Sequence, residues 1–233
     1  MNSKTIVGLA ATVAVLGLAG CGSSDNTGEA TSASEVTSSS AAPESTDLPA
    51  PTTASPTPAA PPTMSISEYL KSEGITETPA RPGDPGAPTI QMSTPAGWEP
   101  AIDVPGDPFW AVTLIQASAP ANPPIIKATL TKLSEDVSMP TIFQYAPGEL
   151  ENLPGYEGMG AGGDGKLGGL QAHQIGGMFD DNGVKSLVAQ KTLVIKSPGG
   201  SYLLRVRASG PEVDAPALVS ATGDLDDKTV ITP

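Results

Sequence analysis

An α+β sandwich, an antiparallel sheet flanked by helices, is the fold class predicted for the last 170 residues of this 233-residue chain. Three observations carry that expectation. Runs rich in β-branched and aromatic residues are separated by the turn signals PANPP, DDNG and SPGG, the usual connections of antiparallel strands. Segments with helical spacing lie before, within and after these runs instead of alternating with them, which argues against a parallel βαβ sheet. The 38% hydrophobic content suffices for a packed core, while 26 glycines and 25 prolines assign much of the remainder to turns and linkers.

Taken in order, Ser65 and Glu68 form a capping box, and Ile66, Tyr69 and Leu70 share one face of the short helix that Gly74 and Ile75 end. Thr89 to Ser93 reads as a strand stopped by the PAGW turn, with Trp98 as a core plug at a strand end. Phe109 to Gln116 and Ile125 to Lys132 read as two antiparallel strands across PANPP. Met139 to Leu153 has helical spacing broken by Pro147 and Gly148, so it forms two short helices or one kinked helix. Three further strands follow, Leu170 to Phe179, Val184 to Lys196 and Ser201 to Ala208, with Asn182-Gly183 as a type I′ hairpin signal. Pro211 to Asp227 closes the domain as a helix with an apolar stripe at Val213, Ala217, Leu218, Ala221 and Leu225.

Residues 1–20 have the form of an export leader: Lys4 beside the amino terminus, an apolar run from Ile6 to Leu18, then small residues. That run is short of the roughly 20 residues a spanning helix needs, so a retained anchor is the lesser reading. It ends on Leu18-Ala19-Gly20-Cys21, which matches at every position the lipobox of bacterial lipoproteins and holds the only cysteine of the chain. The resemblance implies cleavage before Cys21, a diacylglyceryl thioether on its sulfur and N-acylation of the new terminus. Two or more acyl chains hold a protein stably on a bilayer where one holds it only marginally.

The stretch Gly22 to Thr63 contains 9 Ser, 8 Thr, 8 Ala and 7 Pro, with five acids and no base. Val36 and Leu48 are its only larger aliphatics, too little apolar surface to offset the entropy of ordering. With Cys21 it is expected to be a disordered tether over 21–63, of rms span roughly 35 Å, and its Ser/Thr/Pro content also suits an O-glycosylated stalk. The folded domain is then 64–233.

The net charge of −13 argues against nucleic acid and an anionic lipid surface as direct electrostatic partners, and against phosphate as a ligand. GMGAGG at 158–163 satisfies GxGxxG but lacks the apolar strand before it and the helix after it, so it reads as a glycine-rich connection or edge segment. Gly165-Lys166 is followed by leucine, where a phosphate loop needs Ser or Thr. His173 is the sole histidine and is expected neutral on a sheet face, so no multi-histidine metal site can be built. Asp224, Asp226 and Asp227 lack the spacing of a calcium loop and read as solvated charges. No nucleophile elbow or SxxK is present. We therefore expect no catalytic residue, metal or cofactor. The remaining candidates are Phe109 and Trp110, which either pack in the core and over a sheet edge or line the mouth of an apolar groove for an acyl chain or a partner's helix.

The segments SISEYLKSEGITETP, GDPGAPTI, PAGW, FQYAPGELENLPGY and VAQKTLVI, in this order, resemble the mycobacterial LpqN/LpqT lipoprotein family, its LpqN members most closely. The similarity extends over the mature domain, the lipobox and the tether. It implies a Mog1/PsbP-like fold and a non-enzymatic, lipid-anchored protein on the extracytoplasmic face of the cell membrane. It also implies a role in transport of mycolate-type, trehalose-linked acyl glycolipids alongside MmpL-type transporters. A protein-interaction adaptor toward such a transporter or a host protein, without a lipid site, is the alternative, and shedding of mature protein is left open. Only Cys21 is carried over by motif.

Overall fold

The computed structural model describes residues 63–160 and 162–233; the expected leader, Cys21 and the tether up to residue 62 lie outside them. Thr63 and Met64 dock on the domain. The Thr63 N–H donates to Asn152 Oδ1 (3.0 Å) and Asn152 Nδ2 donates to the Thr63 carbonyl (2.6 Å). A Cβ on Gly148 would collide with the Met64 carbonyl, so glycine is needed where the entering chain crosses.

Helix α1 (Ile66–Ser72) begins at the expected capping box, with the Glu68 N–H donating to Ser65 Oγ and the Ser65 N–H to the Glu68 carboxylate (2.8 Å). Then come β1 (Glu77–Ala80), β2 (Thr89–Gln91), β3 (Trp98–Pro100), β4 (Trp110–Leu114) and β5 (Ile125–Leu133). Helices α2 (Met139–Tyr145) and α3 (Gly148–Glu151) are separate, because the Pro147 ring cannot donate to a continuing helix. The rest is β6 (Glu157–Gly158), β7 (Gly163–Leu167), β8 (Leu170–Asp181), β9 (Val184–Ser197), β10 (Gly200–Pro211), a 3₁₀ turn (Glu212–Asp214), α4 (Ala215–Lys228) and β11 (Val230–Thr232).

The main sheet is antiparallel, in the order β3-β4-β5-β10-β9-β8-β6. Strand β1 continues the β4 edge of β5, and β7 shares the outer edge of β8 with β6. The expected α+β architecture is therefore observed. Asn182 (φ 55°) and Gly183 (φ 87°) both adopt the left-handed conformation that a type I′ turn requires. Strand β2 leaves this sheet and pairs with β11.

The side-chain alternation of β9 and β10 divides the core in two. Tyr202, Leu204, Val206 and Ala208 of β10 point to one face and pack with Trp98, Ile231 and the buried side of α4 (Leu218, Ala221, Leu225). Leu203 and Val194 point to the other, under α1 and α2 through Ile66, Leu70 and Ile142. Leu150 of α3 packs beside them on Ile175 and Val188. Trp98 is a core residue as expected, but the PAGW turn that was expected only to stop a strand also leads into one, β3, which Trp98 begins. One element of the predicted closing helix is corrected: Val213 lies in the 3₁₀ turn and is 66% exposed, so the apolar stripe begins later. Pro216 sits in the first helical turn, where its missing N–H costs nothing, and so fixes the start of α4 after that turn.

Candidate functional site

A cavity of about 430 Å³ opens on the α4 face of the sheet. Its floor comes from three small residues that the register places side by side: Gly176 of β8 is opposite Ala189 of β9, which is opposite Ala208 of β10. The adjoining row on the same face is Gln174, Lys191 and Val206, so side chains stand up beside a row where they are missing. Leu225 of α4, Leu167 of β7 and Met159 form apolar walls. A trough results, because α4 bridges over small residues that cannot fill the space beneath it.

One end of the trough is polar. Lys191 Nζ pairs with Asp226 of α4 at 2.5 Å and donates to the Lys166 carbonyl at 3.2 Å. Thr222 and Gln174 line the same cavity. Asp226 is thus a structural partner and not the freely solvated charge expected from sequence, whereas Asp224 does lie on the outer side of α4, paired to Lys228. An apolar trough ending in fixed donors and acceptors has the chemistry to hold an amphiphile, chain along the floor and uncharged polar head at the ion pair.

Phe109 and Trp110 are elsewhere. They line a second hollow of about 450 Å³ with Pro100, Val104, Asp103 and Asp107, and both are partly buried against the main core. Trp110 shares the trough's sheet face but is separated from Val206 by Ala128. Asp103 and Asp107 hold left-handed backbone in the loop that walls this hollow, and Asp107 is fixed by Arg81 at 2.5 Å. This second hollow is the more polar of the two.

His173 lies on the opposite sheet face, tilted against Phe143 with ring centroids 5.6 Å apart. Its Nε2 is buried without a hydrogen-bond partner among the described residues. Burial lowers its pKa below 6.5 against a weaker opposing pull from Asp164, so the ring is neutral at pH 7, as expected. Gly163 to Leu167, part of the glycine-rich stretch, forms the edge strand β7 and supplies one wall of the trough. Cys21 lies outside the described residues. No described helix is long and apolar enough to cross a membrane.

Comparison with known proteins places this geometry in context. The family model described as "Probable lipoprotein LpqN" matches residues 62–232. The chain is similar to the lipoprotein LpqN of Mycobacterium tuberculosis (strain ATCC 25618 / H37Rv), with 39% identity over 174 residues, 75% of this chain and 76% of that protein. A solved structure described as LpqN involved in cell envelope biogenesis of Mycobacterium tuberculosis superposes with a TM-score of 0.70 at 39% identity. The match covers 74% of this chain and 100% of the solved one, so in that relative the domain folds on its own.

Proposed function

The chain belongs to the Lpp-LpqN lipoprotein family, and from that premise we propose that it is a lipid-anchored, non-enzymatic carrier on the extracytoplasmic face of the cell membrane. It binds an acyl glycolipid of the mycolate-type, trehalose-linked class in the trough under α4 and assists its movement during envelope assembly. The solved relative's link to cell envelope biogenesis supports the setting. The observation that carries the reading is the floor of Gly176, Ala189 and Ala208, which leaves an apolar trough with the Lys191–Asp226 pair at its end. A closed core would instead have favoured a purely protein-binding adaptor.

We assign the helix-covered sheet to the Mog1/PsbP-like sandwiches. The anchor is Cys21, and the tether over 21–63 confines the domain to one surface. That confinement raises its effective concentration toward a membrane partner such as an MmpL-type transporter to the order of millimolar. Intact mass measurement of the chain taken from membranes is expected to give a mature terminus at Cys21 carrying diacylglycerol and an N-acyl group; a different terminus or an unmodified thiol would refute the anchor.

Titration of residues 63–233 with an alkyl trehalose is expected to shift the amide resonances of Gly176, Ala189, Ala208 and Leu225 saturably. Shifts absent from these four, or unsaturable, would count against the trough as the lipid site.

A further inference from the structure

The sheet face opposite the trough carries two neighbouring arginines in contrasting states. Arg205 of β10 is enclosed by carboxylates, with Glu77 Oε1 at 2.7 Å and Glu149 Oε1 at 3.5 Å. Arg207, two residues on and on the same face, makes no ion pair among the described residues. Its direct cross-strand neighbour on β5 is a second cation, Lys127, and its neighbour on β9 is the buried Gln190. Ser209, again two residues along β10, places a hydroxyl on the same face. Among the described residues the Lys127 ammonium is held only by a carbonyl, that of Pro105 at 2.9 Å, under the loop that carries Gly106.

This arrangement is unfavourable as it stands. Like charges directly opposite one another on a sheet repel, and withdrawing a cation from water without a counter-ion costs free energy. Burial lowers the pKa of both groups; at Arg207 the Glu149 carboxylate offsets this only in part, and at Lys127 the Arg207 charge adds to it. The domain from Met64 onward has 20 acids to 11 bases, so a carboxylate partner was available in composition. Among the described residues the carboxylate that acts on Arg207 is Glu149, which Arg205 already engages at 3.5 Å, so Arg207 has none to itself.

We propose that Arg207, Lys127 and Ser209 form a second binding site, on the face away from the trough, for a tetrahedral oxyanion of the phosphate or sulfate type. A planar guanidinium offers two parallel donors, the ammonium a point charge and the hydroxyl a third contact. This set matches three oxygens of such a group and converts the repulsion into charge-assisted hydrogen bonds. The strong net negative charge of the chain does not exclude the site, because these two cations lie side by side and act over a shorter distance than the dispersed surface acids.

Thermal unfolding of residues 63–233 in inorganic phosphate, against sodium chloride of equal ionic strength, tests this. Phosphate is expected to raise Tm by about 4 °C at ten times its Kd and with the logarithm of its concentration beyond that, and Arg207→Met to abolish the rise. In chloride, Arg207→Met is expected to melt at or above the parent temperature, since it removes a repulsion; a purely structural arginine would lower it. Lys127→Met is expected to weaken phosphate at least about tenfold, while Ala189→Leu, on the other face, leaves the response intact and so separates this site from the trough. A phosphate effect no larger than chloride's, or one that survives Arg207→Met, would overturn the proposal.

Discussion

Replacing Ala189 by leucine is expected to weaken acyl-ligand binding strongly while leaving the domain folded. Ala189 occupies the middle of the trough floor, between Gly176 and Ala208. It is only partly buried and lines the cavity, so a larger side chain there enters the trough and does not overpack a closed core. The added atoms take the place of about three methylenes of a bound chain. At about 0.8 kcal/mol each this amounts to roughly 2.4 kcal/mol, or about a fiftyfold rise in Kd. Ala208→Leu is the informative contrast. Ala208 is 3% exposed beneath α4, so the same change should also lower Tm. Calorimetric or resonance titration with an alkyl trehalose checks both variants. Undiminished affinity in Ala189→Leu would move the ligand out of the trough, and the hollow beside Phe109 and Trp110 would then be the place to look.

That floor was legible in the sequence, although periodicity alone does not reveal it. The two-residue turn Asn182-Gly183 pairs Asp181 with Val184, and counting five residues outward along both strands brings Gly176 opposite Ala189. The turn Pro198-Gly199 likewise pairs Ser197 with Gly200, and a longer count brings Ala189 opposite Ala208. Two hairpin turns thus fix three small residues in one row, with the register as the missing step. Phe109 and Trp110 drew attention as an aromatic pair, but the sequence has no sign that a cavity forms where side chains are absent. The strands β1, β3, β6 and β11 escaped for another reason: with two to four residues each, they are too short to show alternation and exist only because a neighbour's edge is free. The long hairpins, the capping box and the break at Pro147 were legible because each depends on local backbone chemistry. The charge arrangement of Lys127, Arg205 and Arg207 depends on which residues meet across strands and helices, and composition pointed away from it.

The largest loss of stability is expected from Arg205→Met. This side chain is 13% exposed and ties three separate elements to β10: β1 through Glu77, α3 through Glu149, and α1 through Ser67 Oγ at 3.3 Å. Methionine would keep the volume but leave two carboxylates, 21% and 17% exposed, without their counter-ion. Breaking a buried pair costs 3–5 kcal/mol when one partner is removed; with the residual solvent here we expect about 3 kcal/mol, a fall in Tm of about 9 °C. The pH dependence identifies the cause. Burial opposes ionisation of Glu77, but Arg205, with hydrogen bonds from Ser67 and Thr131, outweighs it and holds the carboxyl below its ordinary value of 4.5. A carboxyl with a lowered native pKa contributes stability that is complete above its unfolded pKa and is lost as pH falls through the native one. In Arg205→Met burial acts with its main opponent gone, so protonation relieves the variant in the range where it weakens the parent. The stability gap should therefore be widest near neutrality and narrow as pH drops below about 4.5. Adding Glu77→Gln to Arg205→Met should recover part of the loss at neutral pH, because it removes one of the two stranded charges. A gap of constant size from pH 7 to pH 4 would mean that Arg205 acts through packing and that the ion pair contributes nothing.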